Sequence, residues 1–185
     1  MVHTGLSKSD IEKQIGGKGD FIQIHHLNQI LNEPLIRDTK KFVYMKLAEI
    51  YERNRMFNDA ARMCDGLAII SIAFTEKVKN HVREAELYIR SGDFRRADGA
   101  MKKAMNEANP HEKSEVYYVV KDLYKKQARE YEREMKRNKA SQIYEKLLEM
   151  NITHLERREI KEKLLGLYKL LGKFDKVKLL EGMRG

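Results

Sequence analysis

Seven basic side chains recur at fixed places in this sequence: Lys46, Arg83, Lys126 and Lys163, with Arg53, Arg90 and Arg133 each seven residues after the first three. Positions seven apart share one face of an α-helix, so each pair would set two cations on the same side of a helix. The chemistry open to such a ladder is the binding of carboxylates or phosphates through charge-assisted hydrogen bonds. In the third set Arg129 stands where the first two carry Glu49 and Glu86, and it is joined there by Lys125. Charge accumulates toward the C-terminal half: residues 121–185 hold 18 Lys and Arg against 11 Asp and Glu, net +7, whereas residues 1–120 hold 19 against 17, net +2. An anionic partner would meet that half first. The plain competing account is a solvated ionic face, partly neutralised by Glu49 and Glu86 in the first two sets.

Other chemistry finds no constellation to support it. Gly16-Gly17-Lys18-Gly19 is glycine-rich and basic but lacks the spacing and the Ser or Thr of a phosphate-binding loop, and reads as a flexible link. His25 and His26 are adjacent and would point about 100° apart on a helix. His81, His111 and His154 are scattered and Cys64 is the single cysteine, so no metal site and no cofactor are expected. Cys64 cannot form an internal disulfide and is expected to be a buried packing thiol. Carboxylates stand beside Lys or Arg at helical spacing, as in Glu49 with Arg53 and Glu86 with Arg90, which describes surface pairs rather than an acid/base dyad. With no nucleophile, base and oxyanion donors to name, an enzyme is not expected.

The ladder is tied to a repeat. Its cations lie five residues before the tyrosines Tyr51, Tyr88, Tyr131 and Tyr168 and two after the first three, and nine residues after each tyrosine comes a small side chain, Ala60, Ala97, Ala140 or Val177. The intervals between the tyrosines are 37, 43 and 37 residues, a period of stacked helical pairs. In Ser91-Gly92-Asp93-Phe94 and Leu171-Gly172-Lys173-Phe174 the glycine turns the chain out of one helix, and the phenylalanine is expected to open the next by packing into the pair. The alanines then suit a close helix crossing. A shift of 80 aligns Ala48, Tyr51, Glu52, Arg53, Asn58 and Ala60 with Ala128, Tyr131, Glu132, Arg133, Asn138 and Ala140, and Leu87, Tyr88, Gly92 and Phe94 with Leu167, Tyr168, Gly172 and Phe174. Shared ancestry or shared packing constraint is favoured over chance for these matches.

On these residues the chain resembles the tetratricopeptide repeat family over approximately residues 38–182. It departs from the family pattern at His81 and Lys161, where an aromatic would open the first helix as Tyr44 and Tyr124 do, and in its single closing proline, Pro110. The resemblance implies a right-handed α-solenoid whose first helices line a concave groove, with the basic registers facing into it. It also implies a non-catalytic adaptor that binds an extended or helical protein segment, here an acidic stretch or a C-terminal carboxylate. The family's chaperone-binding clamp is not matched, since Met45 and Glu49 stand in its places. Nucleic acid is the alternative partner, with phosphates on Lys125, Lys126, Arg129, Arg133, Lys136, Arg137 and Lys139. Against it, Glu130, Glu132 and Glu134 interleave the basic run.

Residues 1–36 read as an N-terminal helical cap or arm. A short helix starts at Ser7-Lys8-Ser9-Asp10 and ends at Gly16-Gly17; a second is capped by Asp20 and stopped at Pro34, with Phe21, Ile24, Leu27 and Leu31 covering the first hairpin. Residues 37–185 read as the repeat domain, with hairpins at approximately 38–73, 75–109, 112–150 and 155–182. Hydrophobic residues at 42%, charged residues at 35%, two prolines and no tryptophan agree with an all-α protein. No membrane span is expected, Met1 to Asp10 lacks an apolar signal core, and a cytoplasmic address is the simplest. Pairing of two copies through the N-terminal helix or the array ends is left open.

Overall fold

The computed structural model describes residues 6–182. Residues 1–5, part of the Met1–Asp10 stretch read for a signal core, and 183–185, the end of the expected repeat domain, lie outside it. Ten helices and no strand are found among the described residues. They are α1 (Lys8–Ile15), α2 (Asp20–Leu31), α3 (Arg37–Arg53), α4 (Phe57–Ile70), α5 (Phe74–Ser91), α6 (Phe94–Glu107), α7 (Pro110–Arg133), α8 (Arg137–Glu149), α9 (His154–Leu170) and α10 (Phe174–Gly182). The chain divides between Val116 and Tyr117, within α7, into two compact units.

The four tyrosines end four helices by the same device. Each carbonyl accepts a hydrogen bond from the backbone N–H five residues on: Met56 to Tyr51 at 2.8 Å, Asp93 to Tyr88 at 2.9 Å, Lys136 to Tyr131 at 2.8 Å and Lys173 to Tyr168 at 2.9 Å. The residue between, four after the tyrosine, takes a positive φ, as this helix-ending motif requires. Gly92 (89°) and Gly172 (68°) do so without a Cβ penalty, while Arg55 (60°) and Met135 (56°) adopt the same turn against it. The residues nine after the tyrosines, Ala60, Ala97, Ala140 and Val177, are all buried, as are the tyrosine rings.

The 80-residue echo is geometric as well as sequential. Helices α4, α5 and α6 begin at 57, 74 and 94, and α8, α9 and α10 at 137, 154 and 174. The positive-φ pairs Arg55/Met135 and Gly92/Gly172 obey the same shift. The second unit begins at Tyr117, 80 residues after Arg37 at the start of α3.

In the first unit α2 packs on α3, α3 on α4, α4 on α5 and α5 on α6. Ion pairs also join alternate helices: Lys41 to Glu76, Arg83 and Arg90 to Glu52 between α3 and α5, and Lys103 to Asp65 at 2.7 Å between α4 and α6. In the second unit α8 packs on α9 and α9 on α10. Two of these pairs recur 80 residues later, Lys121 to Glu156 at 3.1 Å and Lys163 to Glu132 at 2.9 Å between α7 and α9, while a different lysine, Lys176, joins α10 to Glu145 of α8 at 2.7 Å. Even the cation over the ring is repeated, Arg96 over Tyr88 and Lys176 over Tyr168.

Several local expectations are corrected. Asp20 does not cap α2; Gly19 occupies that place without a side-chain bond, and the Asp20 carboxylate instead accepts from Arg53 of α3 and from Asn54 just after it. Arg53 therefore turns to Asp20 rather than along its own helix to Glu49. Phe21 is 72% exposed; Leu27 and Ile30 supply the buried face of α2, and Asn28 donates to the Tyr51 hydroxyl at 2.9 Å. Phe174 opens α10 but stays 63% exposed instead of packing into the pair. Ser7 and Asp10 do form a reciprocal cap on α1. One close approach has no counterpart in the sequence reading: a Cβ on Gly66 of α4 would come within 2.7 Å of the Tyr44 ring, so glycine is what admits that ring against α4.

Candidate anion-binding surface

Each unit's share of the nine ladder cations meets a different fate. In the first unit all four are committed. Lys46 sits 3.5 Å from Glu49, Arg53 pairs with Asp20, Arg83 with both Glu52 and Glu86, and Arg90 with Glu52. Glu52, one residue after Tyr51, bridges two arginines of the next hairpin. Burial alone would raise its pKa, but the hydrogen bonds from Arg90 and Arg83 outweigh that and hold it below the ordinary range. Arg83 and Arg90 clasp α5 to α3 through Glu52 and Arg53 reaches Asp20 of α2, while Lys46 stays with Glu49 on its own helix and Arg83 keeps a second bond to Glu86 on its own.

In the second unit Lys125 pairs with Glu156, and Lys163 lies 2.9 Å from Glu132 and 3.0 Å from the Tyr144 hydroxyl. Lys126, Arg129 and Arg133 are exposed on α7 and have no hydrogen-bond or ion-pair partner among the described residues. They stand at i, i+3 and i+7 and so lie along one face of that helix.

Lys125, Arg129 and Lys163 also line one open pocket of about 190 Å³, together with Tyr144 of α8 and Glu156, Glu159 and Ile160 of α9. Glu156 is its electrostatic anchor. Its carboxylate accepts from Lys125, from the Thr153 backbone N–H at 2.8 Å and from Lys121 at 3.1 Å, and these bonds bring its pKa down to about 2. The Tyr144 hydroxyl donates to Glu132 at 2.9 Å, and burial raises its pKa. Lys163 would be lowered by burial, but Glu132 and Tyr144 hold it above the ordinary lysine value. Three cations against two carboxylates leave the lining with an excess of one positive charge, and Arg129 is the one of the three without an internal partner.

Shifted back by 80, the same lining positions hold Met45, Glu49, Cys64, Glu76, Lys79, Asn80 and Arg83. The replacement of Met45 and Glu49 by Lys125 and Arg129 makes the second unit cationic where the first is not. Cys64, the counterpart of Tyr144, is buried, and burial pushes its thiol up to about 12. Tyr144, Glu156, Glu159 and Ile160 were not candidates from sequence. The 80-residue alignment, extended beyond its identities, was the signal that could have found them.

Comparison with protein-family models, with curated proteins and with solved structures gives no match. No helix among the described residues is long and apolar enough to cross a membrane.

Proposed function

We propose that the chain is a non-catalytic adaptor, a tetratricopeptide-like right-handed α-solenoid of four helical hairpins with an N-terminal helical cap, which binds an acidic protein segment along α7. The four identical helix endings and the ion pairs linking alternate helices support the repeat architecture. The observation that carries the binding role is the row Lys126, Arg129 and Arg133, exposed and unpartnered among the described residues while the other six ladder cations are used internally. These three side chains are open to an incoming acid, and Arg129 can bind one bidentately. The binding face is thus narrower than the nine-residue groove the ladder implied. Tyr131, Tyr144 and Tyr168 are buried and closed to base stacking, and Glu130, Glu132 and Glu134 interleave the basic run, which favours the protein partner over nucleic acid.

The test is fluorescence anisotropy with a labelled Asp/Glu-rich peptide and, in parallel, single-stranded oligo(U) RNA. Charge reversal of Lys126, Arg129 and Arg133 together should weaken peptide binding roughly 10- to 100-fold, from about 0.2–1 kcal/mol for each exposed pair plus the new repulsion. The control reverses Lys8, Lys13 and Arg37, which changes net charge equally. Equal loss in the control would reduce the effect to diffuse attraction, and preferential binding of the RNA would replace the acidic peptide with nucleic acid.

A further inference from the structure

A polar cluster lies in the first unit, apart from the cationic face. Helix α5 carries His81 and Glu84 one turn apart, and α4 carries Asp65. His81 Nδ1 is 2.9 Å from Glu84 Oε2 and 3.9 Å from Asp65 Oδ1. One donor atom from each of the three lies within 4.8 Å of the others. His81 and Glu84 are buried, at 7% and 3% exposure.

The fold does not need a charge at the Glu84 position. The residues 80 further on are Glu145, Lys161 and Leu164, and Leu164, the counterpart of Glu84, is 1% exposed in the apolar core. A buried ionic group is often no more stable than a well-packed apolar one, so packing alone does not account for Glu84. The charges also do not balance. Asp65 and Glu84 face a single ammonium, that of Lys103, whose Nζ is 2.7 Å from Asp65 Oδ1 and 3.1 Å from Glu84 Oε1. With a neutral imidazole the group carries one excess negative charge.

We propose that Asp65, His81 and Glu84 form a binding site for a divalent transition-metal ion of the zinc class, with Lys103 as an internal cation that the metal displaces. One imidazole nitrogen and two carboxylate oxygens are a donor set for such an ion, and water completes the fourth position. Donors about 2.0–2.2 Å from a tetrahedral ion stand roughly 3.3–3.6 Å apart, and the separations of 2.9 and 3.9 Å bracket that spacing. Lys103 sits at the rim with 45% of its side chain exposed, so its ammonium can leave for water on its flexible stem. Exchange of the ammonium for a dication cancels the excess negative charge. The site escapes a search for His and Cys spacing because two of its three donors are carboxylates and one comes from another helix.

The experiment is calorimetric titration and thermal melting of the full, untagged chain with zinc chloride, with cobalt(II) as a spectroscopic probe of tetrahedral coordination. The wild-type chain should bind one ion and melt at a higher temperature in its presence. Glu84→Leu, which copies Leu164, should fold and lose the zinc-dependent rise. Asp65→Asn, at a partly exposed position, should lose it too, and tests the same donor set should Glu84→Leu fail to fold. Lys103→Met should bind zinc roughly tenfold more tightly, because the ion no longer has to displace an ammonium paired with both carboxylates. Absence of a zinc effect on the wild type, or an undiminished effect in both ligand variants, would overturn the proposal. Zinc affinity unchanged or weakened in Lys103→Met would overturn the displacement.

Discussion

Replacing Glu156 by glutamine separates the two roles of the carboxylate at the cationic cavity. Glutamine can keep the cap, since the residue three after Thr153 is served by Glu or Gln alike. What it removes is the charge that Lys125 and Lys121 neutralise. A fall from the ordinary 4.5 to about 2 corresponds to at most about 3.5 kcal/mol, at about 1.4 kcal/mol per unit. A fifth of the side chain remains in water, so screening reduces the expected cost of Glu156→Gln at pH 7 to about 1–2 kcal/mol. Because the folded-state pKa is depressed, this stability is complete above about pH 5 and is lost as pH falls through 4.5 toward 2. Urea denaturation at pH 7 and pH 2.5 should therefore show a gap between wild type and variant that nearly closes at the lower pH. Binding should move the other way at pH 7: with Lys125 released, the acidic peptide should bind the variant more tightly. A stability gap that stays the same at both pH values would refute the electrostatic account of Glu156. Unchanged or weaker peptide affinity would refute the cavity's part in binding.

Ala97→Leu and Ala140→Leu, at fully buried positions on second helices, should each cost about 1–3 kcal/mol by overpacking, read as a lowered denaturation midpoint. Met135→Gly should stabilise by up to about 1 kcal/mol, since its φ of 56° burdens any side chain, whereas Gly172→Ala at 68° should destabilise by a similar amount; thermal melts of the pair test the shared turn. Cys64 should react slowly with a thiol reagent in the native protein and quickly in denaturant, because burial both shields the thiol and holds it protonated.

The helical elements were legible because they depend on neighbours in the chain. Tyrosines at intervals of 37, 43 and 37, glycines four later and small residues nine later mark the turns and crossings, since helix-ending geometry is set within six residues and burial recurs with the helical period. Even Arg55 and Met135, which carry no glycine signal, fall into the same turn because their neighbours dictate it. The sequence likewise located the excess positive charge in the second half and placed Lys126, Arg129 and Arg133 on one helix face. It could not say which cations were spent. Arg53 looked like a partner for Glu49 and meets Asp20 from α2; Arg83 and Arg90 meet Glu52, more than 30 residues away. The cavity at Arg129 and the meeting of His81 with Asp65 likewise depend on separate helices packing side by side. An ion pair or a ligand set forms where side chains converge in space, and that convergence is fixed by packing between helices, which local spacing along one helix does not encode.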